Sequence, residues 1–409
     1  MISSKYICFL NVLNSGIHGK QYVLKEEEKE HIRELFRLSE IHQVLPVTAE
    51  AVYQNRKAGT AERAVYENAL KAVVSQTVRT AEFIDIYRKL NINGTDPIVF
   101  KGIVLDKLYP RKNYRISADA DLLIRSDQTD IVHKTLTDYG LVLAEPDTDI
   151  GRSFEIAYTD TDTKLYIEIH KQFFPPDEEA YSNLNQYFTD VYDRKIEEEI
   201  YGIPVYTLEY TDHFFYLICH AFKHFLYSGF GIRQVCDIIL YANAYAEKID
   251  WNRIRNNCEE TNTYEFTKAV LQIGKKYLYP DSRSDEYIED WHTEETDEEP
   301  LLEDIMSGGL YGTSTMTRLH SSTMTLTAVS NSRNNQKRNP LLSTVFLPLH
   351  SMEGRYPYLK KAPYLLPAAW VQRIGRYGME VLKGSRKDNN TADTVALGNH
   401  RIELLKYYR

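Results

Sequence analysis

Apolar residues repeat with two rhythms along the 409-residue chain, and the change of rhythm marks its parts. Ile32, Leu35, Phe36 and Leu38 stand partly in helical register, which predicts a helix within residues 26–46. Residues 60–90 predict a longer helix, with Val65, Ala69, Ala72, Val73, Ala81, Ile84 and Tyr87 along one broad face. Asn93-Gly94 ends it with turn chemistry. These segments read as an N-terminal helical cap, residues 1–94.

The texture then changes. Pro97 to Phe100 reads as a short apolar strand, Gly102 to Leu108 as a helical turn and Asp119 to Ile124 as a second strand. Ser126 can cap a helix that runs to Tyr139. Leu141 to Leu143 is strand-like. Phe154–Tyr158 and Lys164–Ile169 flank a turn and predict a hairpin, and Glu197 through Gly202 to Leu208 predicts another. Residues 95–209 therefore form a mixed β/α core.

From Asp212, a plausible N-cap, to Tyr277 the pattern is helical again. Phe215, Ile218, Phe222, Phe225 and Leu226 supply its packing, and further helices start near Arg233, Asp250 and Thr261. This is a helical domain, residues 210–280. The rest, 281–409, reads as an acidic linker and C-terminal extension. Twelve acids crowd into residues 281–304, which predicts a solvated linker or an exposed helix face. A Ser/Thr/Asn-rich stretch, Ser307 to Asn339, follows. Tyr356 to Val381, with Arg373 and Arg376, reads as an amphipathic docking helix, with membrane-surface binding the less favoured use.

Composition narrows the class. Hydrophobic residues make up 43% and charged residues 26%, enough to bury a core and to exclude wholesale disorder. The net charge of −9 argues against coating nucleic acid by bulk charge, but leaves room for a local basic groove. Cys8, Cys219, Cys236 and Cys258 form no CxxC pair and read as buried free thiols of a reducing compartment. The apolar stretch Tyr6–Leu13 is short, contains Asn11 and does not read as a signal peptide. No run approaches the roughly 18 apolar residues of a spanning helix. The expectation is a cytoplasmic protein without a transmembrane segment.

The strongest chemical signal is Ser117-Ala-Asp-Ala-Asp-Leu-Leu-Ile124. On a strand, Asp119 and Asp121 point the same way. Two such carboxylates repel unless a cation lies between them, and Leu122 to Ile124 would anchor the strand in the core. That suits a hard, oxygen-seeking Mg²⁺, though two surface acids on an edge strand would look alike. Upstream, Lys101-Gly102 stands at a strand-to-helix junction, where backbone can approach a phosphate. Arg115 could reach a phosphate or a carboxylate. Downstream, Tyr166, Glu168 and His170 alternate along a strand. Glu168 offers a third carboxylate, and His170 either orients it, touches substrate or is a half-buried strand histidine. His213, His220 and His224 lie on one helical stripe, at i, i+7 and i+11. Ala221 stands where a zinc-binding HExxH helix needs glutamate, which argues against zinc and leaves satisfied core or surface histidines as the plain reading. Arg233 and Asp237, at i and i+4, could form a helix ion pair.

Lys101-Gly102, Arg115, Asp119-x-Asp121 and Glu168, in this order, resemble the nucleotidyltransferases related to DNA polymerase beta. More closely, "FKGIVLDKLYP", "YRISADADLLI", "IEIHKQFF" and "HFFYLICHAFKHFLYSGFGIRQVCDIILY" are similar to a family of uncharacterised bacterial nucleotidyltransferases, over roughly residues 30–260. The tail motifs "GLYGTSTMTRLHSS" and "YPYLKKAPYLLPAAWVQRI" resemble extensions of some members. Two features depart from the wider superfamily. Gly102 is followed by Ile103 rather than Ser or Gly, and the gap from glycine to the paired aspartates is longer.

The resemblance implies an α+β fold: a nucleotidyltransferase-like mixed β-sheet core with helices, flanked by N-terminal and C-terminal helical regions. It implies transfer of an NMP group from an NTP to a hydroxyl acceptor with release of pyrophosphate. Asp119, Asp121 and Glu168 would hold Mg²⁺, or else Mn²⁺, and Glu168 could act as base. Lys101, Gly102, Arg115 and Ser117 would hold the phosphates, while His170, His220, His224 and Asp237 would line the substrate cleft. The acceptor is open: a small molecule, sugar, peptide or protein. Two rivals stand beside this reading. One is an inactive binding protein that kept the fold; the other is a toxin-like enzyme that modifies RNA, which the net charge disfavours.

Overall fold

The computed structural model describes residues 2–53 and 59–308, except 179, 181, 228 and 293–295, together with 349, 352, 356–372 and 400–408. The tail motif at 309–322, most of the Ser/Thr/Asn-rich stretch, and Arg373 and Arg376 lie outside the described residues.

The apolar stretch Tyr6–Leu13 is the centre of helix α1 (Ser4–Ile17). Phe9, Leu10 and Leu13 disappear into the main core. At its end Gly16 lies against the next helices so closely that a Cβ there would meet the Val47 carbonyl oxygen at 2.6 Å. The single helix expected within 26–46 is broken. A 3-10 turn (Glu26–His31) leads into α2 (Ile32–Ile41), and a sharp bend separates it from α3 (Leu45–Tyr53). The bend has a backbone cause. Gln43 adopts a positive φ of 55°, and Pro46, which lacks an N–H, sits in the first turn of α3 where none is needed. The long amphipathic helix is α4 (Thr60–Ile92).

Seven strands then form one mixed sheet, with helices between them: β1 (Ile98–Val99), α5 (Ile103–Asp106), β2 (Ala120–Leu123), α6 (Thr129–Tyr139), β3 (Val142–Leu143), β4 (Glu155–Thr159), β5 (Tyr166–His170), α7 (Val191–Arg194), β6 (Ile196–Ile200) and β7 (Ile203–Thr207). The order is β3-β4-β5-β2-β1-β7-β6. β2 pairs parallel with β5 and β1 with β7, while the other neighbours are antiparallel. Ser126 starts a 3-10 turn with no side-chain cap, and α6 begins only at Thr129.

Alternation along the strands divides the sheet into two faces. Leu122, Ile156, Tyr158, Ile167 and Ile169 pack with Phe83, Tyr87 and Leu90 of α4 and with Val132 and Leu136 of α6. The intervening residues of β2, β4 and β5 turn to the opposite face. That face looks onto α8 (Tyr210–Tyr227) and α9 (Ile232–Ala244), against which α10 (Trp251–Thr261) and α11 (Tyr264–Ile273) pack, and the apolar residues of these helices share the main core with α1.

Helix α8 starts two residues before the expected cap. Glu209, not Asp212, accepts from the free N–H groups of Thr211 (2.9 Å) and Asp212 (3.0 Å). Asp212 instead binds Arg194 and Arg253. The acidic stretch is not wholly a solvated linker. Helix α12 (Glu299–Gly308) buries Leu301, Leu302, Ile305 and Met306 in the main core. Leu404, Leu405 and Tyr408 join the same core. The Tyr408 hydroxyl accepts from the Leu301 N–H at 3.1 Å. Arg401, 1% exposed, donates to the Phe225 and Tyr227 carbonyls at the end of α8. Tyr356, Leu359 and Ala369 form a separate small cluster with Met352. All four cysteines are buried and unbridged. Among the described residues, no helix is long and apolar enough to cross a membrane.

Candidate active site

Parallel pairing of β2 with β5 sets Asp121 opposite Glu168 and Leu123 opposite His170. Paired residues of neighbouring strands project to the same face, so two residues from sequence-distant strands meet on the site face. Asp121 is fully buried, His170 is buried and Glu168 is half-buried. His170 Nε2 lies 3.2 Å from Asp121 Oδ1 and 3.5 Å from Glu168 Oε2. β4 adds Glu155, whose Oε2 is 3.5 Å from His170 Nδ1. One ligand atom each from Asp121, Glu168 and His170 all lie within 4.8 Å of one another. Asp121 Oδ2 has no hydrogen-bond partner, an exposed need in a buried carboxylate that a cation would satisfy. The donor set thus fits a divalent metal ion. Asp119 stands one residue before β2, outside that group, and takes the Ser117 hydroxyl through its carbonyl oxygen (2.8 Å) and Oδ1 (3.2 Å).

Lys101 enters from the end of β1. Gly102 beside it has φ 54° and ψ −114°, a conformation that side chains rarely tolerate, and this turn aims Lys101 at the carboxylates. Its Nζ is 2.7 Å from Asp121 Oδ1 and 3.3 Å from His220 Nε2. Lys101 can only donate, so His220 accepts at Nε2 and carries its proton on Nδ1. His224 Nε2 lies 3.2 Å from the same atom. The helix after Gly102 is a single turn, so it adds little dipole to any anion site there.

These contacts set the charges. Burial opposes ionisation of Asp121, but Lys101 and His170 overcome it and hold the carboxyl below its usual range. Burial also opposes the Lys101 ammonium, yet Asp121 keeps it charged. Burial raises Glu168, and the neighbouring Asp121 and Asp119 charges push the same way, against the His170 hydrogen bond. His170, despite its burial, is raised to about 9 by hydrogen bonds to Asp121 and Glu168. Across the cleft, burial and nearby cations hold His220 and His224 neutral, and burial with Lys101 lowers Lys223.

A cavity of about 680 Å³ opens over these groups. Asp119, Glu155, Glu168 and His170 form one side; His220, Lys223, His224 and Arg233 of α8 and α9 form the other. The histidine stripe divides. His220 and His224 line the cavity, while His213 is fully buried against Tyr241. Arg233 and Asp237 both line the cavity but do not pair with each other. Arg233 donates to Gln43 and to the Ile116 carbonyl. Asp237 takes a two-pronged contact from Arg115, 2.8 Å on each side, and the Tyr109 hydroxyl at 2.8 Å. Two of the Arg115 nitrogens are thereby committed, and Nη1 alone lacks a partner.

Sequence reasoning passed over Glu155 and Lys223. Each had a signal: Glu155 alternates with buried Ile156 and Tyr158, and Lys223 follows His220 by one helical turn.

Comparison of the chain with curated proteins and with solved structures found no match. Comparison with protein families found one described as uncharacterised nucleotidyltransferase, matched over residues 28–278, a span that holds the sheet, the acidic cluster and both walls of the cavity. The chain belongs to this family of uncharacterised nucleotidyltransferases.

Proposed function

We propose that this protein transfers a nucleoside monophosphate from an NTP to an acceptor hydroxyl, with release of pyrophosphate. One observation carries the reading: the β2–β5 register puts Asp121 beside Glu168 under a cavity whose opposite wall presents Lys223 and Arg233. A volume of about 680 Å³ accommodates a nucleotide with room for part of an acceptor. Asp119, Asp121 and Glu168 would hold divalent metal, which when bound neutralises triphosphate charge and favours departure of pyrophosphate. Lys101, Lys223 and Arg233 face the same space and would steady the phosphates. Glu168, raised by burial and by its acidic neighbours, is the group suited to take the acceptor's proton. Arg115 supports this wall by fixing Asp237.

Incubation with each labelled NTP, Mg²⁺ or Mn²⁺ and a cell extract containing metabolites, protein and RNA, followed by mass spectrometry, should find one nucleotidylated acceptor. Asp119→Ala with Asp121→Ala should abolish it while the fold survives. Transfer that persists in this double variant overturns the proposal. NTP binding without transfer to any acceptor marks a binding protein instead.

A further inference from the structure

The donor nearest Asp121 and Glu168 is not a third carboxylate but the Nε2 of His170. We propose that His170 is itself a ligand of the divalent cation, oriented by Glu155, and that its nitrogen favours Mn²⁺ over Mg²⁺. This rests on the reading above, that the acidic cluster holds a metal ion. The ring is held by aromatic packing. Phe100 lies edge-on against it at 5.4 Å, with Phe173 and Tyr216 packed behind Phe100 at 5.0 Å each. That pose turns Nε2 to Asp121 and Glu168 and leaves Nδ1 facing Glu155 Oε2 at 3.5 Å. A ligating histidine almost always has its other nitrogen held by a carboxylate, carbonyl or water, and Glu155 stands where such a partner belongs.

Within the Asp121–Glu168–His170 cluster two buried atoms lack a hydrogen-bond partner, Asp121 Oδ2 and His170 Nδ1. A cation bound to Asp121 and to Nε2 would satisfy the first directly. It would also turn Nδ1–H into the donor that Glu155 completes after a small shift of the ring. Lys101, now on Asp121 Oδ1, stands in for part of that positive charge. The chemistry of the donors then selects the ion. Mg²⁺ demands oxygen ligands in near-ideal octahedral order, whereas a site with one imidazole and two carboxylates suits a transition metal. Asp119 remains free to serve a second cation brought in with the triphosphate.

The test is metal binding to the full chain, without substrate. Calorimetry should show Mn²⁺ binding roughly tenfold more tightly than Mg²⁺, the effect of one good nitrogen ligand. Electron spin-echo spectra of bound Mn²⁺ should carry the modulation of a directly bound nitrogen. His170→Gln should remove it and level the two affinities, while His220→Gln should keep it. Glu155→Gln should weaken Mn²⁺ about ten- to hundredfold and leave Mg²⁺ nearly unchanged. Should His170→Gln fail to fold, the wild-type spectrum and Glu155→Gln still decide. Mn²⁺ bound without nitrogen modulation, or equal affinities for both ions, overturns the assignment of His170 but spares the carboxylate site. Binding of neither ion overturns both.

Discussion

Asp121 meets Lys101 at 2.7 Å with the carboxylate wholly out of water. Removing one partner of such a pair strands the other charge, at a cost of about 3–5 kcal/mol. Asp121→Asn should therefore lower unfolding free energy in metal-free buffer by about that much. Asp119→Asn, which loses only part of a half-exposed contact with Ser117, should cost about 1 kcal/mol or less. Both should lose nucleotide transfer, and urea titration separates them. Arg115 permits a similar separation. Its two-pronged hold on Asp237 is buried on both sides, so Arg115→Lys should destabilise by about 2–3 kcal/mol. A raised KM for NTP with unchanged stability would instead give Arg115 a direct hold on phosphate.

Short elements do the positioning. Gly102 turns the chain between β1 and the one-turn α5, and its positive φ makes Gly102→Ala costly by about 1–2 kcal/mol. The same change should redirect Lys101 and so depress transfer more than stability, which kinetics and thermal unfolding would resolve. Glu209→Ala should cost at least about 1 kcal/mol, because two N–H groups at the start of α8 lose their acceptor. Such local features were partly legible in the sequence. Alternation along β5 put Glu168 and His170 on one face, because the two-residue period is a property of the strand itself; Asp119, one residue before β2, stands outside that period. The long helix α4 was legible for the same reason. What could not be read was non-local. The parallel register that joins Asp121 to Glu168, and the contact of Arg115 with Asp237 across 122 residues, depend on which surfaces meet in three dimensions. Asp212 misled as a cap because Ser, Asp and Asn are common at helix starts, while Glu209 does the work with a longer arm.

Across the molecule, buried histidines govern the response to acid. Burial lowers His42, His213 and His224 each to about 3. In the unfolded chain they take up protons near 6.5, so the folded state binds fewer. Stability that is complete above pH 6.5 is lost as pH falls toward 3, by about 1.4 kcal/mol per pH unit for each group. His170 runs the other way. Raised to about 9, it stabilises fully below 6.5 and loses that contribution as pH climbs through 9. Metal-free protein should thus be most resistant to urea near neutrality. His213→Phe should flatten the acid side by one proton, which midpoints measured from pH 7 to 4.5 would show.

The clasp of Arg401 on the end of α8 has a genetic consequence. Helix α8 carries His220, Lys223 and His224, yet its last carbonyls are closed by a residue more than 170 positions further along. A stop codon anywhere between 309 and 400 spares every proposed site residue. Scored on a map of site positions, such an allele looks harmless. It would nevertheless remove the clasp and the Leu404–Tyr408 packing beneath the wall, and should behave in complementation as loss of function.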